Sequence, residues 1–188
     1  MITTITKRKE PVIIGPPKVG KSTVSKKLAN LLKCKYVSID QNIDRIRETH
    51  FFDKTLENHL YHSKGIDSVL NYWKTFEIKA LEVLFANNRD CIFDLGGGHT
   101  FFEDPVYKSR FLRILSSFEN VILLLPSNNA QESLNHLTPK FKSIDEIYSL
   151  QILINNYFNE ALTAKIVYNK NQTPKQTIDS IMFFLQIK

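Results

Sequence analysis

Long apolar runs are absent from this sequence. Its longest fully apolar stretches, residues 121–125 and 181–185, have five residues each, whereas a membrane-spanning helix needs about 20. Residues 1–10 are polar and basic and contain no apolar core of the kind found in secretory signals. We therefore expect neither a membrane-bound nor a secreted protein, and we predict a cytoplasmic location.

Cysteine and glycine are also scarce. The two cysteines, Cys34 and Cys91, make neither a disulfide framework nor a zinc site. Five of the 6 glycines fall in two places, one loop at residues 15–20 and one run at residues 96–98. Because glycine is costly to order, this concentration indicates two places where the backbone bends unusually or approaches a ligand closely.

The composition indicates one folded domain. The chain has 188 residues, of which 43% are hydrophobic and 23% charged, and this is enough to build a packed core. The formal net charge is +6, but the lysines are spread along the chain, so the charge is only a weak sign of nucleic-acid binding. We expect a monomer that binds a small molecule and no nucleic acid.

Short apolar strands alternate with helical segments along the chain. The pattern predicts strands at residues 11–14, 36–39, 91–93, 121–125 and 165–168. It predicts helices at residues 21–34, 40–50, 66–88, 104–118, 130–137 and 144–163 and from residue 174 onward, with a short helix or flap at residues 51–65. Such alternation is typical of an α/β fold with a parallel sheet covered on both faces.

The sharpest motif is a phosphate-binding loop that follows the first strand and opens the first helix. It consists of Gly15, Pro16, Pro17, Lys18, Val19, Gly20, Lys21, Ser22 and Thr23 and fits G-x-x-x-x-G-K-[ST]. In such loops the backbone N–H groups converge on phosphate at a helix N-terminus. We predict that Lys21 bridges the β- and γ-phosphates of ATP and that the Ser22 hydroxyl ligates Mg²⁺. Lys18 stands where these loops often have glycine, and we expect its side chain to point into solvent, the alternative being an added charge near the phosphates.

Beyond this loop, the whole chain resembles shikimate kinases, most strongly at residues 13–43 and 92–98. The resemblance implies a three-layer P-loop kinase fold with a five-stranded parallel sheet of order 2-3-1-4-5. It also implies a single domain over residues 1–188, with a substrate-binding flap at about 40–65 and a small lid at about 138–144. The implied activity is transfer of the γ-phosphoryl group of ATP to a hydroxyl of a small metabolite, with shikimate as the first candidate.

Two parts of the family pattern place residues at the acceptor. Asp40 matches the carboxylate that accepts the hydrogen bond of the substrate hydroxyl and can act as base, although the position also suits a helix N-cap. The run of Gly96, Gly97 and Gly98 matches the family's triple glycine, which lets a sugar-like ring lie against the backbone. The alternative is an ordinary turn at the ligand-binding edge of the sheet.

The residues expected to bind the metal ion differ from those of the family. The strand at residues 91–93 is followed by Asp94, the layout in which a carboxylate holds Mg²⁺ directly or through water. Shikimate kinases carry their metal-linked carboxylate two residues before the base, where this chain has Ser38. We therefore predict a swap, in which Asp94 supplies the carboxylate that Ser38 does not.

The substrate side departs further, because arginines that the family uses are missing. Lys74 stands where the family has a substrate-binding arginine, either as a substrate contact or in an ordinary surface pair with Glu77. Leu153 takes the place of a second arginine, and no arginine follows Arg113. His99 is a weaker candidate for touching substrate. Two alternatives stay open: a kinase for a nucleoside or another hydroxylated metabolite, and a regulatory ATP-binding protein without turnover.

Overall fold

Strands and helices alternate through the computed structural model, which describes residues 7–49, 52–159 and 162–186. The strands are β1 (Val12–Ile14), β2 (Lys35–Ser38), β3 (Cys91–Asp94), β4 (Val121–Leu125) and β5 (Lys165–Tyr168). The helices are α1 (Lys21–Leu32), α2 (Ile43–Thr49), α3 (Lys54–Lys64), α4 (Ile66–Asn87), α5 (Pro105–Ser116), α6 (Ala130–Leu137), α7 (Ile144–Asn159) and α8 (Pro174–Leu185). Two short 3₁₀ turns, Gly97–Thr100 and Thr138–Lys140, complete the elements.

The five strands form one parallel sheet in the order β2-β3-β1-β4-β5. Every residue of β1, β3 and β4 is buried, because helices cover both faces of the sheet. The strand order, the parallel pairing and the layers confirm the fold that the resemblance implied. All strands point the same way, so their carboxyl ends, where ligands bind in such sheets, share one edge.

The segment between β2 and α2 differs from its prediction by a few residues. β2 begins and ends one residue earlier than expected, and α2 begins at Ile43 rather than at residue 40. The carbonyl of Ile39 accepts hydrogen bonds from the N–H groups of Asn42 and Ile43, which closes a turn there. Asp40 therefore lies in a turn at the carboxyl edge of the sheet rather than inside a helix.

The segment predicted as a short helix or flap, residues 51–65, consists largely of the exposed helix α3. None of the described α3 residues is buried, and Asp53 caps the helix by accepting from the N–H groups of Thr55 and Leu56. The indole N–H of Trp73 donates to Glu57 Oε1 at 2.7 Å, which ties α3 to α4. Residues 50 and 51 of the flap lie outside the described residues. In the described part of the chain, no helix combines the length and apolarity of a membrane span.

Candidate active site

The loop between β1 and α1 has the backbone conformation that its glycines predict. Gly15 and Gly20 have φ of 146° and 102°, where side chains are rarely tolerated. A Cβ on Gly15 would lie 2.3 Å from the carbonyl oxygen of Leu124. Lys18, at the position where glycine is common, also has a positive φ of 60°.

The N-terminus of α1 carries free backbone donors. Gly20 precedes it, no side chain caps it, and its first turn contains no acidic residue. By contrast, within the described residues side chains cap five other helices, namely α3 by Asp53, α5 by Asp104, α6 by Asn129, α7 by Ser143 and α8 by Thr173. Because free N–H groups and the helix dipole both favour an anion, the loop has the features of a phosphate-binding site.

Lys21 is the buried cation of the loop. Its side chain is 6% exposed, and its ammonium donates to the carbonyl oxygen of Pro16 at 2.8 Å. Burial lowers the pKa of Lys21 to about 8, although the carboxylates of Asp94 and Asp40 act in the opposite direction. The structure thus brings Lys21, Asp94 and Asp40 within electrostatic reach of one another.

Asp94 lies beside Ser38, as the predicted swap requires. The two residues are register partners on the neighbouring strands β3 and β2. Asp94 is 1% exposed, its Oδ2 accepts from the Tyr36 hydroxyl at 2.7 Å, and its Oδ1 is buried without a hydrogen-bond partner. Burial and Asp94 raise the pKa of Tyr36 to about 12, against the smaller effect of Ser38 and Ser22, so Tyr36 stays protonated and donates.

These oxygens fit a magnesium ion. The unpartnered Oδ1 of Asp94, at the end of β3, and the hydroxyl of Ser22, at the start of α1, are hard oxygen donors. Both residues have Tyr36 as a neighbour. Mg²⁺ binds through one or two such protein oxygens and takes its other ligands from phosphates and water.

Asp40 is paired with His99. His99 Nε2 lies 3.0 Å from Asp40 Oδ1, and its Nδ1 lies 3.3 Å from Glu77 Oε1, an ion-pair contact. Burial opposes protonation of His99, but Asp40 and Glu77 outweigh it and raise the pKa of the imidazole to about 9. The hydrogen bond from His99 in turn lowers the pKa of Asp40, although burial opposes it.

Lys74 is engaged on two sides. Its ammonium lies 2.6 Å from Glu77 Oε2 and 2.6 Å from the carbonyl oxygen of Gly98. The pair with Glu77 matches the alternative interpretation, but it is not a simple surface pair, because Glu77 is buried. Burial alone would raise the pKa of Glu77, but His99 and Lys74 together hold it below its usual value.

The three consecutive glycines have different surroundings. A Cβ on Gly96 would lie 2.4 Å from Asp40 Oδ1, and one on Gly97 would lie 2.6 Å from Pro17 Cδ. A Cβ on Gly98 would meet nothing within 4 Å. The first two glycines therefore let the turn pack against Asp40 and the phosphate loop, whereas Gly98 borders open space.

This difference gives a stability prediction with a built-in control. We expect Gly97→Ala to lower the free energy of unfolding by about 1–3 kcal/mol, because its Cβ would push against the ring of Pro17. Gly98→Ala should change it by less than about 0.5 kcal/mol, since the space there is open. Urea unfolding of both variants measures the difference, and equal midpoints would contradict the packing described here.

Tyr157 links the glycine turn to the phosphate loop. Its buried hydroxyl lies 2.5 Å from Thr100 Oγ1, which donates to the carbonyl oxygen of Gly97 at 2.8 Å. Burial raises the pKa of Tyr157 to about 12, and the hydrogen bonds of Thr100 and of the Gly15 backbone oppose that rise. α7 therefore fixes both glycine-rich segments relative to each other.

The segment at 138–144 is tied to the phosphate loop through Lys18. Lys18 Nζ donates to the carbonyl oxygen of Lys140 at 2.6 Å, and Lys140 Nζ returns a bond to the carbonyl oxygen of Lys18 at 3.3 Å. The Lys18 ammonium also lies 3.9 Å from the ring centroid of Phe141. Lys18 is exposed, as expected, but its ammonium does not point freely into solvent, since the neighbouring segment supplies a carbonyl and an aromatic face for its charge.

A cavity of about 260 Å³ lies beside the start of α1. Asn169, just after β5, shapes its wall by donating from Nδ2 to the carbonyl oxygen of Val19 at 2.7 Å. The lining is mainly polar and includes Gly20, Thr23, His136, Lys140, Asn171 and Gln172. This space continues from the phosphate loop and offers amide groups to a flat polar ring.

Sequence reasoning missed several of these contacts. It considered His99 only as a substrate contact, and it assigned no role to Tyr36 or Asn169. Strand alternation did carry a signal for Tyr36, because residues two apart on a strand share a face and Ser38 was already placed at the site. For Asn169 the signal was its position directly after a strand, at the ligand-binding edge.

The pairing of His99 predicts a pH dependence of stability. The pKa of His99 is raised from 6.5 to about 9. The stability that its pairing contributes is therefore fully present below pH 6.5 and is lost as the pH rises toward 9. Lys21, with a lowered pKa of about 8, acts oppositely above that pH. We therefore expect the free energy of unfolding to fall between pH 6.5 and 8, and His99→Gln to flatten this slope in urea titrations. An identical slope in both proteins would contradict the pairing.

Solved structures share this architecture. The fold is similar to that of a shikimate kinase from Acinetobacter baumannii in complex with shikimate, with a TM-score of 0.57 and 18% identity over 97% of this chain and 93% of the other. A shikimate kinase from Aquifex aeolicus has a TM-score of 0.59 and 17% identity, over 94% of this chain and 96% of the other. A gluconokinase from Sinorhizobium meliloti has a TM-score of 0.54 and 14% identity, over 96% of this chain and 93% of the other. At these identities, the likeness establishes a P-loop kinase fold.

Sequence comparison identifies the family. No curated protein matches the chain, but the sequence model of the ATPase family associated with various cellular activities (AAA) matches residues 11–151, more than half of its length. The match runs from β1 into α7 and includes the phosphate loop, Asp40, Asp94 and the glycine turn. The chain therefore belongs to the ATPase family associated with various cellular activities.

Proposed function

We propose that this protein is an ATP-dependent kinase that transfers the γ-phosphoryl group to a hydroxyl of a small metabolite. The observation that carries the proposal is the position of Asp40. Its side chain is 56% exposed, lies at the carboxyl edge of the sheet, and is within electrostatic reach of Lys21 of the phosphate loop. An ionised carboxylate beside a phosphate site is what an acceptor hydroxyl needs to be oriented and deprotonated.

The nucleotide half of the mechanism uses residues 15–23. The backbone N–H groups of the loop and of the α1 N-terminus bind the phosphates, and the cavity beside Asn169 receives the base. Lys21 exchanges the carbonyl oxygen of Pro16 for phosphate oxygens and stabilises the charge that develops during transfer. When bound, Mg²⁺ held by Ser22 and Asp94 supplies further charge neutralisation.

The acceptor half uses Asp40 and the glycine turn. Asp40 accepts the hydrogen bond of the acceptor hydroxyl and takes its proton as the new P–O bond forms and the bond to ADP breaks. In the turn of Gly96, Gly97 and Gly98, the acceptor lies against Gly98, which borders open space, while the other two glycines hold the turn against Asp40 and the phosphate loop. The third N–H of Lys74, beyond those directed at Glu77 and Gly98, contacts the acceptor.

Shikimate is the first acceptor to test, and the missing arginines make it a demanding test. A carboxylate is best bound by an arginine fork, which Lys74 does not provide. An arginine contact to the transferring group is worth about 10³-fold or more in rate. We propose that Lys18 and Lys140, which meet at the mouth of the loop, supply the positive charge instead.

A second candidate function is supported by the missing arginines and by the family match. It is a regulatory ATP-binding protein in which the nucleotide site persists without transfer to an acceptor. This function predicts tight nucleotide binding and no acceptor-dependent turnover.

ADP release from Mg·ATP, measured with and without shikimate, gluconate and neutral polyols, distinguishes the two candidates. The kinase proposal predicts release that rises with at least one hydroxylated acceptor and saturates with its concentration. Nucleotide binding measured by calorimetry, together with release that no acceptor increases, would reject the kinase in favour of the regulatory protein.

A further inference from the structure

Neither ring nitrogen of His99 is available to a substrate, because Nε2 is paired with Asp40 and Nδ1 is buried. Its Nε2 is directed at Asp40 Oδ1 at 3.0 Å, and its Nδ1 faces Glu77 Oε1 at 3.3 Å. Because each nitrogen faces a carboxylate, the imidazolium is neutralised on both sides. A substrate contact is therefore a poor explanation for this side chain, whereas a bridge between two carboxylates explains both contacts.

The backbone around His99 is built for this bridge. The N–H of His99 donates to the carbonyl oxygen of Gly96 at 3.0 Å, within the 3₁₀ turn. Lys74 donates to the carbonyl oxygen of Gly98, and Thr100 is bonded to Tyr157. A Cβ on Gly96 would lie 2.4 Å from Asp40 Oδ1 and 3.0 Å from His99 Cδ2, so a glycine is needed for the two side chains to meet.

His99 gives the Asp40 side chain a fixed orientation. Asp40 sits in a turn and is more than half exposed, so nothing on its own element fixes its side-chain torsions. His99, in contrast, is largely covered and is anchored through Glu77 to α4 and Lys74. Fixing Oδ1 in this way leaves Oδ2 for another hydrogen bond in one defined orientation.

We infer that His99 is the positioning residue for Asp40: it fixes Oδ1 through Nε2, is held by Glu77 through Nδ1, and thereby directs Oδ2 to the acceptor hydroxyl. This inference rests on the proposed function, because it assigns a task to the same carboxylate. It assigns Glu77 a supporting role and predicts that His99 and Asp40 act as one unit.

The test combines an activity-independent readout with a kinetic one. In the wild-type protein, ¹⁵N and ¹³C NMR titrations should show a His99 imidazolium that persists above pH 8 and an Asp40 carboxyl that titrates below its ordinary value. In His99→Gln and Glu77→Gln, the Asp40 pKa should rise, most strongly in His99→Gln. The wild-type titration alone decides whether the pair exists, even where a variant does not fold.

Kinetics then separate positioning from a purely structural role. With an accepted hydroxyl substrate, we expect His99→Gln to lower kcat by about 100-fold, the cost of a misplaced catalytic group, with the KM for ATP unchanged. In an Asp40→Asn background the same change should have no further effect, because the two residues act as a unit. Glu77→Gln removes only the support of His99 and leaves the imidazole present, so it should retain more activity than His99→Gln.

Four outcomes would overturn the inference or the proposed function. A wild-type His99 that titrates near 6.5, or a His99→Gln protein with unchanged Asp40 pKa and kcat, overturns the inference while the kinase proposal stands. Equal effects of His99→Gln in the wild-type and Asp40→Asn backgrounds also overturn it. A paired His99 in a wild-type protein that phosphorylates no acceptor overturns the proposed function itself, and with it the positioning role.

Discussion

Lys21→Met is expected to lower the rate of phosphoryl transfer by at least about 100-fold. Lys21 is the buried cation of the phosphate loop, and its ammonium is held ready by the carbonyl oxygen of Pro16. Without it, the charge that develops on the transferring group loses its nearest protein cation. Initial rates of ADP formation at saturating Mg·ATP and acceptor measure the effect.

The fold should tolerate this change. Methionine has a similar length, and losing the bond to Pro16 costs about 1 kcal/mol of stability. Burying an ammonium also costs free energy, and removing it offsets that loss. Lys27→Met is the matched control, because Lys27 is exposed on the same helix. Full activity in the Lys27 variant and a folded, inactive Lys21 variant are expected. A Lys21→Met protein within tenfold of the wild-type rate would contradict the assigned role.

Asp40→Asn is expected to lower kcat by about 10²–10⁴-fold, the range for removing a general base. Asparagine keeps the shape of aspartate but cannot take the hydroxyl proton, and it gives up the ion pair with His99. The affinity for ATP should change little, because the loop at residues 15–23 is untouched. Steady-state kinetics with varied acceptor, together with calorimetric ADP binding, separate these two quantities.

A second aspartate serves as the control for this variant. Asp179 lies exposed on α8, and Asp179→Asn removes the same charge at a position without a role in the proposed mechanism. We expect wild-type kinetics from it. If Asp40→Asn and Asp179→Asn behaved alike, Asp40 would not be the base.

The phosphate loop could be predicted from sequence because its chemistry is local. Gly15 and Gly20 are needed for backbone angles, and Lys21 and Ser22 follow at fixed spacing within one turn of helix. The same holds for Asp94, since a buried strand ending in a carboxylate is a pattern of consecutive residues. Strand and helix periodicity gave nearly all of the elements, and the resemblance gave the order of the sheet.

The acceptor side could not be predicted in the same way, because its contacts join distant parts of the chain. His99 meets Asp40 and Glu77 only because the glycine turn packs between the end of β2 and helix α4. Tyr36 reaches Asp94 only because β2 and β3 pair in one register. The bond from Lys18 to Lys140 spans 122 positions of the sequence, and no local pattern signals it.

The most direct test of the central claim is the fate of the γ-phosphate. Wild-type protein and Asp40→Asn would be incubated with γ-³²P-labelled Mg·ATP and a panel of hydroxylated metabolites that includes shikimate, and the products would be separated by charge. The account predicts label in an organic phosphate ester with the wild type, and at least about 100-fold less labelled ester with Asp40→Asn. Label found only in ATP and inorganic phosphate, with equal amounts from both proteins, would contradict it.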